Sequence, residues 1–434
     1  MTPRPGFDEG WAEYVHQVLR VSNASGVSDN SNININFDPE LDHLVVHAAT
    51  LRRKDETIDE PTQGGVEVLH RESELENGIL NGRQTLHVPM SDVRVGDVYS
   101  YTITHREPLW GNRYFERFIT QWDEPLKRSR LRLVMRSGAP IFIKQSQPGE
   151  PTRTDDGQWQ SLEWNWHDLE GLPSVKDTPA WYEQHPSIQL SQFANWKGVV
   201  EASVPMYSRP GVPEPELTTF GKQLTSSAHS ETPRALAVIT FVQEEIRCTG
   251  LELGSGAYHP TPPLEVFRRR YGDCKDKVLF AVTMLRDLGI DAVPALVSTR
   301  WANHLHERLP SPSDFDHVIA KLRIDSKTYL IDLTSTAQGG ELSDHVQADF
   351  LGEALVIAPG VTALEEMPRV RPRNPLVATT AEFDLRAGYD KEATLTVSTI
   401  YRGYRADSLR RDLRRVTTDE LGTNYLNYYT YGSL

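Results

Sequence analysis

The sequence predicts a multidomain α+β protein. It has an all-β, sandwich-like domain over 35–208, an α+β core over 215–345, and the start of a further β domain over 377–434, joined by a linker over 346–376 and preceded by an extension over 1–34. Three observations carry this reading. Apolar and polar residues alternate with period two from about 41 to 170. Helical spacing takes over at 233–246 and 273–287 and then returns to strands. Proline-rich runs at 208–216 and 367–375 separate these regimes.

In the first region, Leu44, Val46 and Ala48 share one strand face and Leu131, Leu133 and Met135 another. Leu162, Trp164 and Trp166 follow the turn signal Asp155-Asp156-Gly157. Seven of the nine tryptophans lie between Trp110 and Trp196, and they read as core and rim fillers rather than as a ligand platform. Beyond the break, Ser230 and Pro233 open a helix whose stripe is Ala235, Leu236, Ile239, Val242 and Ile246. A second helix over 273–287 carries Val278, Ala281, Val282 and Leu285 and stops at Gly289. Strands are expected at 291–299, 317–324 and 328–333, so that the helix packs on a small antiparallel sheet. Alternation resumes at 378–387 and 393–401. A ragged helix over 407–429 ends a β domain that begins and then stops, as in a truncated form.

The net charge of −14 repels phosphate backbones and anionic lipid, and no stretch of 18 apolar residues exists. The expectation is a soluble protein with no nucleic-acid partner and no membrane span; no feature sets an oligomeric state. The first residues show no signal peptide, which predicts a cytoplasmic chain as written, or a periplasmic or secreted one if the start is processed or incomplete. Two cysteines, Cys248 and Cys274, are too few for a disulfide scaffold or a cysteine-rich zinc site, so each is judged as a thiol.

Cys274 opens the second helix, within Gly272-Asp273-Cys274-Lys275-Asp276-Lys277. A helix N-terminus stabilises an anion, and a thiolate there is a nucleophile in need of a base. His317 heads one expected strand and Asp332 ends the next, with a tight turn between them at 325–327. The hairpin would therefore set the two side by side at one end of the sheet. Spacing alone leaves two readings open: a Cys-His-Asp triad, or a buried structural cysteine with a histidine that caps a strand.

Gly272-Asp273-Cys274-Lys275-Asp276-Lys277, Phe315-Asp316-His317-Val318 and Tyr329-Leu330-Ile331-Asp332 together resemble the transglutaminase-like core, a papain-like cysteine enzyme fold. The resemblance covers about 215–340. Ile246-Arg247, Gly250-Leu251-Glu252 and Pro262-Pro263 look like the bacterial branch, in which an N-terminal β domain of unknown function precedes the core. Residues 35–207, with Trp196, are similar to that domain, and the strands after 376 resemble the beginning of the branch's C-terminal β domain. The resemblance implies Cys274 as nucleophile, His317 as general base and Asp332 as orienting carboxylate. The implied activity is acyl transfer or hydrolysis on a peptide or glutamine carboxamide, as a transglutaminase-like enzyme, a cysteine peptidase or an amidase. A scaffold that keeps the core without chemistry is the reading from another class. Cys248 stands where the branch tends to have an aromatic residue and is read as a core thiol. No side-chain oxyanion donor can be assigned.

No cofactor and no metal site are expected. His304, His306, Asp314 and Asp316 cluster before His317, but they lack the helical spacing of paired ligands and read as a solvated loop. Tyr258, His259 and Trp301 are candidates to line a cleft. The arginines at 268–270 and 410–415 read as helix-face charges, and no Gly-rich phosphate loop is present.

Overall fold

A computed structural model describes residues 10–59, 65–70, 79–80, 82–90, 92–208, 214–251, 259–345, 351–368, 374–388 and 390–431. The chain forms two compact units. One comprises Met1–Ser208, Thr249–Thr261 and Glu307–Ser313; the other comprises Arg209–Cys248, Pro262–His306 and Asp314–Leu434.

The first unit is β-rich. A four-stranded sheet runs in the order Gly10–Arg20, Val98–Pro108, His43–Arg53, Glu56–Asp59, and a three-stranded sheet in the order Asn32–Phe37, Gln84–Pro89, Glu67–His70. Alternate residues of both sheets, among them Ile33, Ile35, Leu51, Val88, Tyr99 and Ile103, meet in one core. Two further three-stranded sheets bury Leu162, Trp164, Trp166, Ile188 and Leu190. The indole N–H groups of Trp164 and Trp166 donate to Gln145 Oε1 at 2.9 Å and Pro148 O at 2.8 Å, which lets these large rings be buried without an orphaned donor. Within the same unit the segment 307–313 is held by side chains of 183–191. Ser191 Oγ donates to Pro310 O at 2.6 Å, Gln189 Oε1 accepts from Leu309 N at 3.0 Å, and Arg308 pairs with Glu183 at 3.1 Å.

Two features add detail to the expectations for this region. The stretch expected as an extension contains the strand Gly10–Arg20, which pairs with Val98–Pro108 along its whole length. The region expected to be all-β ends in a helix, Trp196–Tyr207. Asn195 caps it through Gly198 N, and Val199, Val200, Ser203 and Tyr207 are its buried stripe.

In the second unit the helix Cys274–Asp287 packs on an antiparallel sheet. The strand order is Lys327–Ile331, His317–Ile324, Asp291–Val297, Glu353–Val356, Glu365–Glu366. Val278, Leu279, Phe280, Ala281, Val282 and Leu285 are buried on this helix, each apolar side chain contributing roughly 1–3 kcal/mol. Gly289, at φ +81°, takes the left-handed turn that ends it. The helix Glu231–Glu245 lies close to the expected 233–246. The linker expected over 346–376 supplies the last two strands of the sheet. Glu353–Val356 is buried at every position, so its apolar residues Ala354, Leu355 and Val356 follow one another instead of alternating with polar ones. The C-terminal hairpin pairs Val377–Asp384 with Thr394–Tyr401. The single helix expected after it is two, Tyr404–Leu413 and Thr418–Tyr431, because Thr417 Oγ1 accepts from Glu420 N at 3.2 Å and starts a new helix. Among the described residues no helix is long and apolar enough to cross a membrane.

Candidate active site

Cys274 is the first residue of its helix, and its neighbours in sequence fix that position. Asp273 is the N-cap. Its Oδ1 accepts from Asp276 N at 3.1 Å while Asp276 Oδ2 accepts from Asp273 N at 3.4 Å, a reciprocal box worth about 1 kcal/mol. Asp276 is buried and is held by Arg269 Nη2 at 2.6 Å; Arg269 Nε also donates to Tyr271 O. Lys275 Nζ bonds Asp273 Oδ2. Burial alone would lower the Lys275 ammonium, and the adjoining Asp273 carboxylate raises it instead. A Cβ at position 272 would lie 2.7 Å from Asp276 Cβ, so only glycine leaves room for the box. The motif around Cys274 is thus a brace that holds a half-buried thiol at a helix start.

The strands His317–Ile324 and Lys327–Ile331 are joined by Asp325 and Ser326, both at positive φ, in a two-residue turn that fixes the register at Ala320↔Ile331. At the open end of this hairpin His317 Nε2 lies 3.1 Å from Asp332 Oδ2. Asp332 Oδ1 accepts from Thr334 N at 2.8 Å and Thr334 Oγ1 at 2.6 Å. Cys274 is the second group that acts on the His317 ring. Burial would depress the imidazole, but Asp332 and Cys274 overcome it and push His317 up to about 10. Burial likewise favours a neutral Asp332, yet its bonds to His317 and Thr334 leave the carboxyl below the ordinary range. An imidazolium held between a thiol and a carboxylate follows, and it can both stabilise a thiolate and give up a proton.

Other expected residues lie elsewhere. Cys248 is exposed, not in the core: it sits on the two-residue strand Arg247–Cys248, paired with Tyr271–Gly272. Desolvation among its neighbours still raises its thiol, with Cys274, Asp273 and Asp332 adding to the rise and Lys277 opposing it. Trp301 is buried, with the Arg300 guanidinium 4.5 Å from its ring centroid, so it packs rather than lines a cleft. His259 is exposed, and Tyr258 lies outside the described residues. The loop expected to be solvated is partly built in: His306 Nδ1 bonds Glu353 at 2.9 Å, and Asp316 accepts from Thr299 N and Oγ1 at 2.8 Å. Arg270 is exposed, as expected of a surface charge, and its guanidinium also lies over Phe220, Phe241 and Phe267.

Asp42, His105 and Glu107 of the first unit bring one ligand atom each within 4.8 Å of one another, a set of donors suited to a divalent cation. Sequence reasoning missed it because Leu44 and His105 meet only through strand pairing. Gln243 and Lys277, described below, had no local signal either. Thr334 had one: a hydroxyl residue two positions after an aspartate is an Asx-turn pattern.

Residues 218–330 match the family model of the transglutaminase-like superfamily, and residues 8–173 match that of a domain of unknown function, DUF3857. Among curated proteins no match was found. Of solved structures, a candidate protease from Parabacteroides distasonis is 14% identical with a TM-score of 0.65, over 83% of this chain and 69% of that one. A candidate cysteine protease from Cytophaga hutchinsonii is 10% identical over 90% of this chain and 91% of that one, with a TM-score of 0.25. The periplasmic domain of TgpA from Pseudomonas aeruginosa is 12% identical over 53% of this chain and 77% of that one, with a TM-score of 0.22. At these identities the likeness is one of fold, and only the first score is high enough to carry it.

Proposed function

Given a chain that carries a transglutaminase-like core behind a DUF3857 domain, we propose that it catalyses thiol-dependent acyl transfer or hydrolysis on a peptide or glutamine carboxamide. Cys274 is the nucleophile, His317 the acid and base, and Asp332 the orienting carboxylate. The observation that carries this reading is His317 itself, 3.1 Å from Asp332 and pushed up to about 10 by Asp332 and Cys274 against the effect of burial.

The steps follow from that charge. The Cys274 thiolate attacks the carbonyl carbon, and backbone N–H groups of the helix's first turn receive the oxyanion. As the C–N bond breaks, His317 gives its proton to the departing ammonia or amine, leaving a thioester and a neutral imidazole. Water or a second amine then attacks; His317 takes its proton, and the C–S bond breaks to restore the thiolate. Asp332 keeps the ring oriented and its charged form stable throughout. Cross-linking and hydrolysis differ only in the last acceptor.

The test is incubation with a glutamine-containing peptide library, including cell-wall peptides, and a tagged primary amine. Ammonia, cleaved peptide or amine-linked product is expected, and Cys274→Ala should abolish it while leaving the circular dichroism unchanged. If wild type and Cys274→Ala are equally inert yet bind a common partner equally well, the core is a scaffold and the enzymatic reading fails.

A further inference from the structure

Beneath Asp332 lies a buried polar layer that the acyl-transfer steps do not use. Asp332 stands one residue past the strand Lys327–Ile331, where the hairpin ladder no longer holds the backbone. Its carbonyl is held instead by Gln243 Nε2 at 2.8 Å, and the same nitrogen donates to Gln338 Oε1 at 2.7 Å. Gln243 is 3% exposed, in the last turn of Glu231–Glu245. Three residues on, Ile246 O accepts from Lys277 Nζ at 2.8 Å. Lys277 is fully buried, on the same helix as Cys274.

A buried ammonium is costly, and an apolar side chain of the same volume would pack as well or better. The charged and titratable groups around Lys277 are Cys248, Asp332 and Glu244. Glu244 is already occupied by Ala337 N and Arg414, each at 2.7 Å. Asp332, a partly exposed carboxylate that faces His317, is the anion left for Lys277 to serve. In its ionised form Asp332 is a negative charge that Lys277 can offset. Burial lowers the Lys277 ammonium while these anions oppose the fall.

We propose that Gln243 and Lys277 are positioning residues for Asp332: Gln243 fixes its backbone by a hydrogen bond, and Lys277 supplies the buried positive charge that keeps its carboxylate ionised against His317. This rests on reading His317 and Asp332 as the pair that activates Cys274.

The experiment is the pH profile of iodoacetamide labelling at Cys274, in the full chain carrying Cys248→Ser, so that it needs no substrate. Lys277→Gln is the central variant because a glutamine can still donate to Ile246 O but carries no charge. Its acid limb should move up by about half to one pH unit, with labelling near pH 5 slowed roughly 3- to 10-fold and labelling near pH 8 unchanged. Lys277→Arg should restore the wild-type limb. Gln243→Leu should slow labelling roughly 3- to 10-fold near neutrality with the fold retained, and Gln243→Glu should do the same, since it presents a second acceptor to the Asp332 carbonyl. A role in packing alone would lower the melting temperature without moving the limb. Folded Lys277→Gln and Gln243→Leu proteins with the wild-type profile would overturn the inference. A His317→Ala protein that labels like wild type would instead overturn the pair on which it rests.

Discussion

Replacing Asp332 with asparagine removes one negative charge beside His317 and almost no volume. Burial acts against the charged ring, and Asp332 and Cys274 together lift it from 6.5 to about 10, which corresponds to roughly 5 kcal/mol in favour of the imidazolium. The bond and the charge of Asp332 each outweigh those of Cys274. Losing them should cost on the order of 3 kcal/mol, about a hundredfold in the ratio of charged to neutral ring. With burial then opposed only by Cys274, His317 should titrate near neutrality instead of well above it. The wild-type protein should therefore label with iodoacetamide at Cys274 at a nearly constant rate from about pH 7 to 9. Asp332→Asn should label tens of times more slowly at about pH 8, and ring nitrogen resonances of His317 should report the shifted titration directly. Folded Asp332→Asn protein that labels within about threefold of wild type across that range would refute the ion-pair reasoning.

Gly272→Ala should cost roughly 1–3 kcal/mol in urea denaturation and slow Cys274 labelling, because the new methyl lies 2.7 Å from Asp276 Cβ and must open the capping box; a neutral substitution would contradict the brace. Cys248, exposed but with a thiol raised by desolvation, should label more slowly than Cys274 near neutrality, as read by mass spectrometry of the two peptides; equal rates would count against activation of Cys274. In the first unit Glu107 is raised to about 7 by burial and by the nearby Asp42, Glu116 and Glu13 carboxylates, against the pull of Arg83. A group raised in the folded state contributes stability below its unfolded value, near 4.5, and loses it as pH rises through 7. Glu107→Gln should therefore gain stability over wild type above pH 7 and not below about pH 4.5. A difference independent of pH would refute this.

Much of the candidate site was legible because its signals are local. A helix stripe bounded by Asp273 and Gly289 announces its own length, and a turn at 325–327 tells which strand residues must meet, so His317 and Asp332 could be paired from spacing. What could not be read depends on contacts distant in the chain. The strand Gly10–Arg20 has no fully buried residue and exposes Tyr14 and Val18, so its alternation is blurred. Glu353–Val356, buried on both faces, has no alternation at all. Gln243 reaches a carbonyl 89 residues away and Lys277 one 31 residues back, and no propensity or period records such partners. Cys248 was misjudged because a lone apolar-looking thiol says nothing of the two-residue strand that carries it to the surface.

The chain changes unit at 208–209, 248–249, 261–262, 306–307 and 313–314. Five crossings mean that each unit is assembled from three separate stretches of chain, and this governs how the protein can be cut. A fragment cut to the superfamily match, 218–330, would keep 249–261 and 307–313 but sever them from the β-rich unit to which they belong, leaving Pro310 and Leu309 without Ser191 and Gln189. It would also lose Asp332 and the strands Glu353–Val356 and Glu365–Glu366. Excision at the apparent homology boundary should give an insoluble or inactive fragment whatever the chemistry of Cys274. Shuffling at these boundaries should fail for the same reason, so the two halves are expected to pass from one protein to another only together.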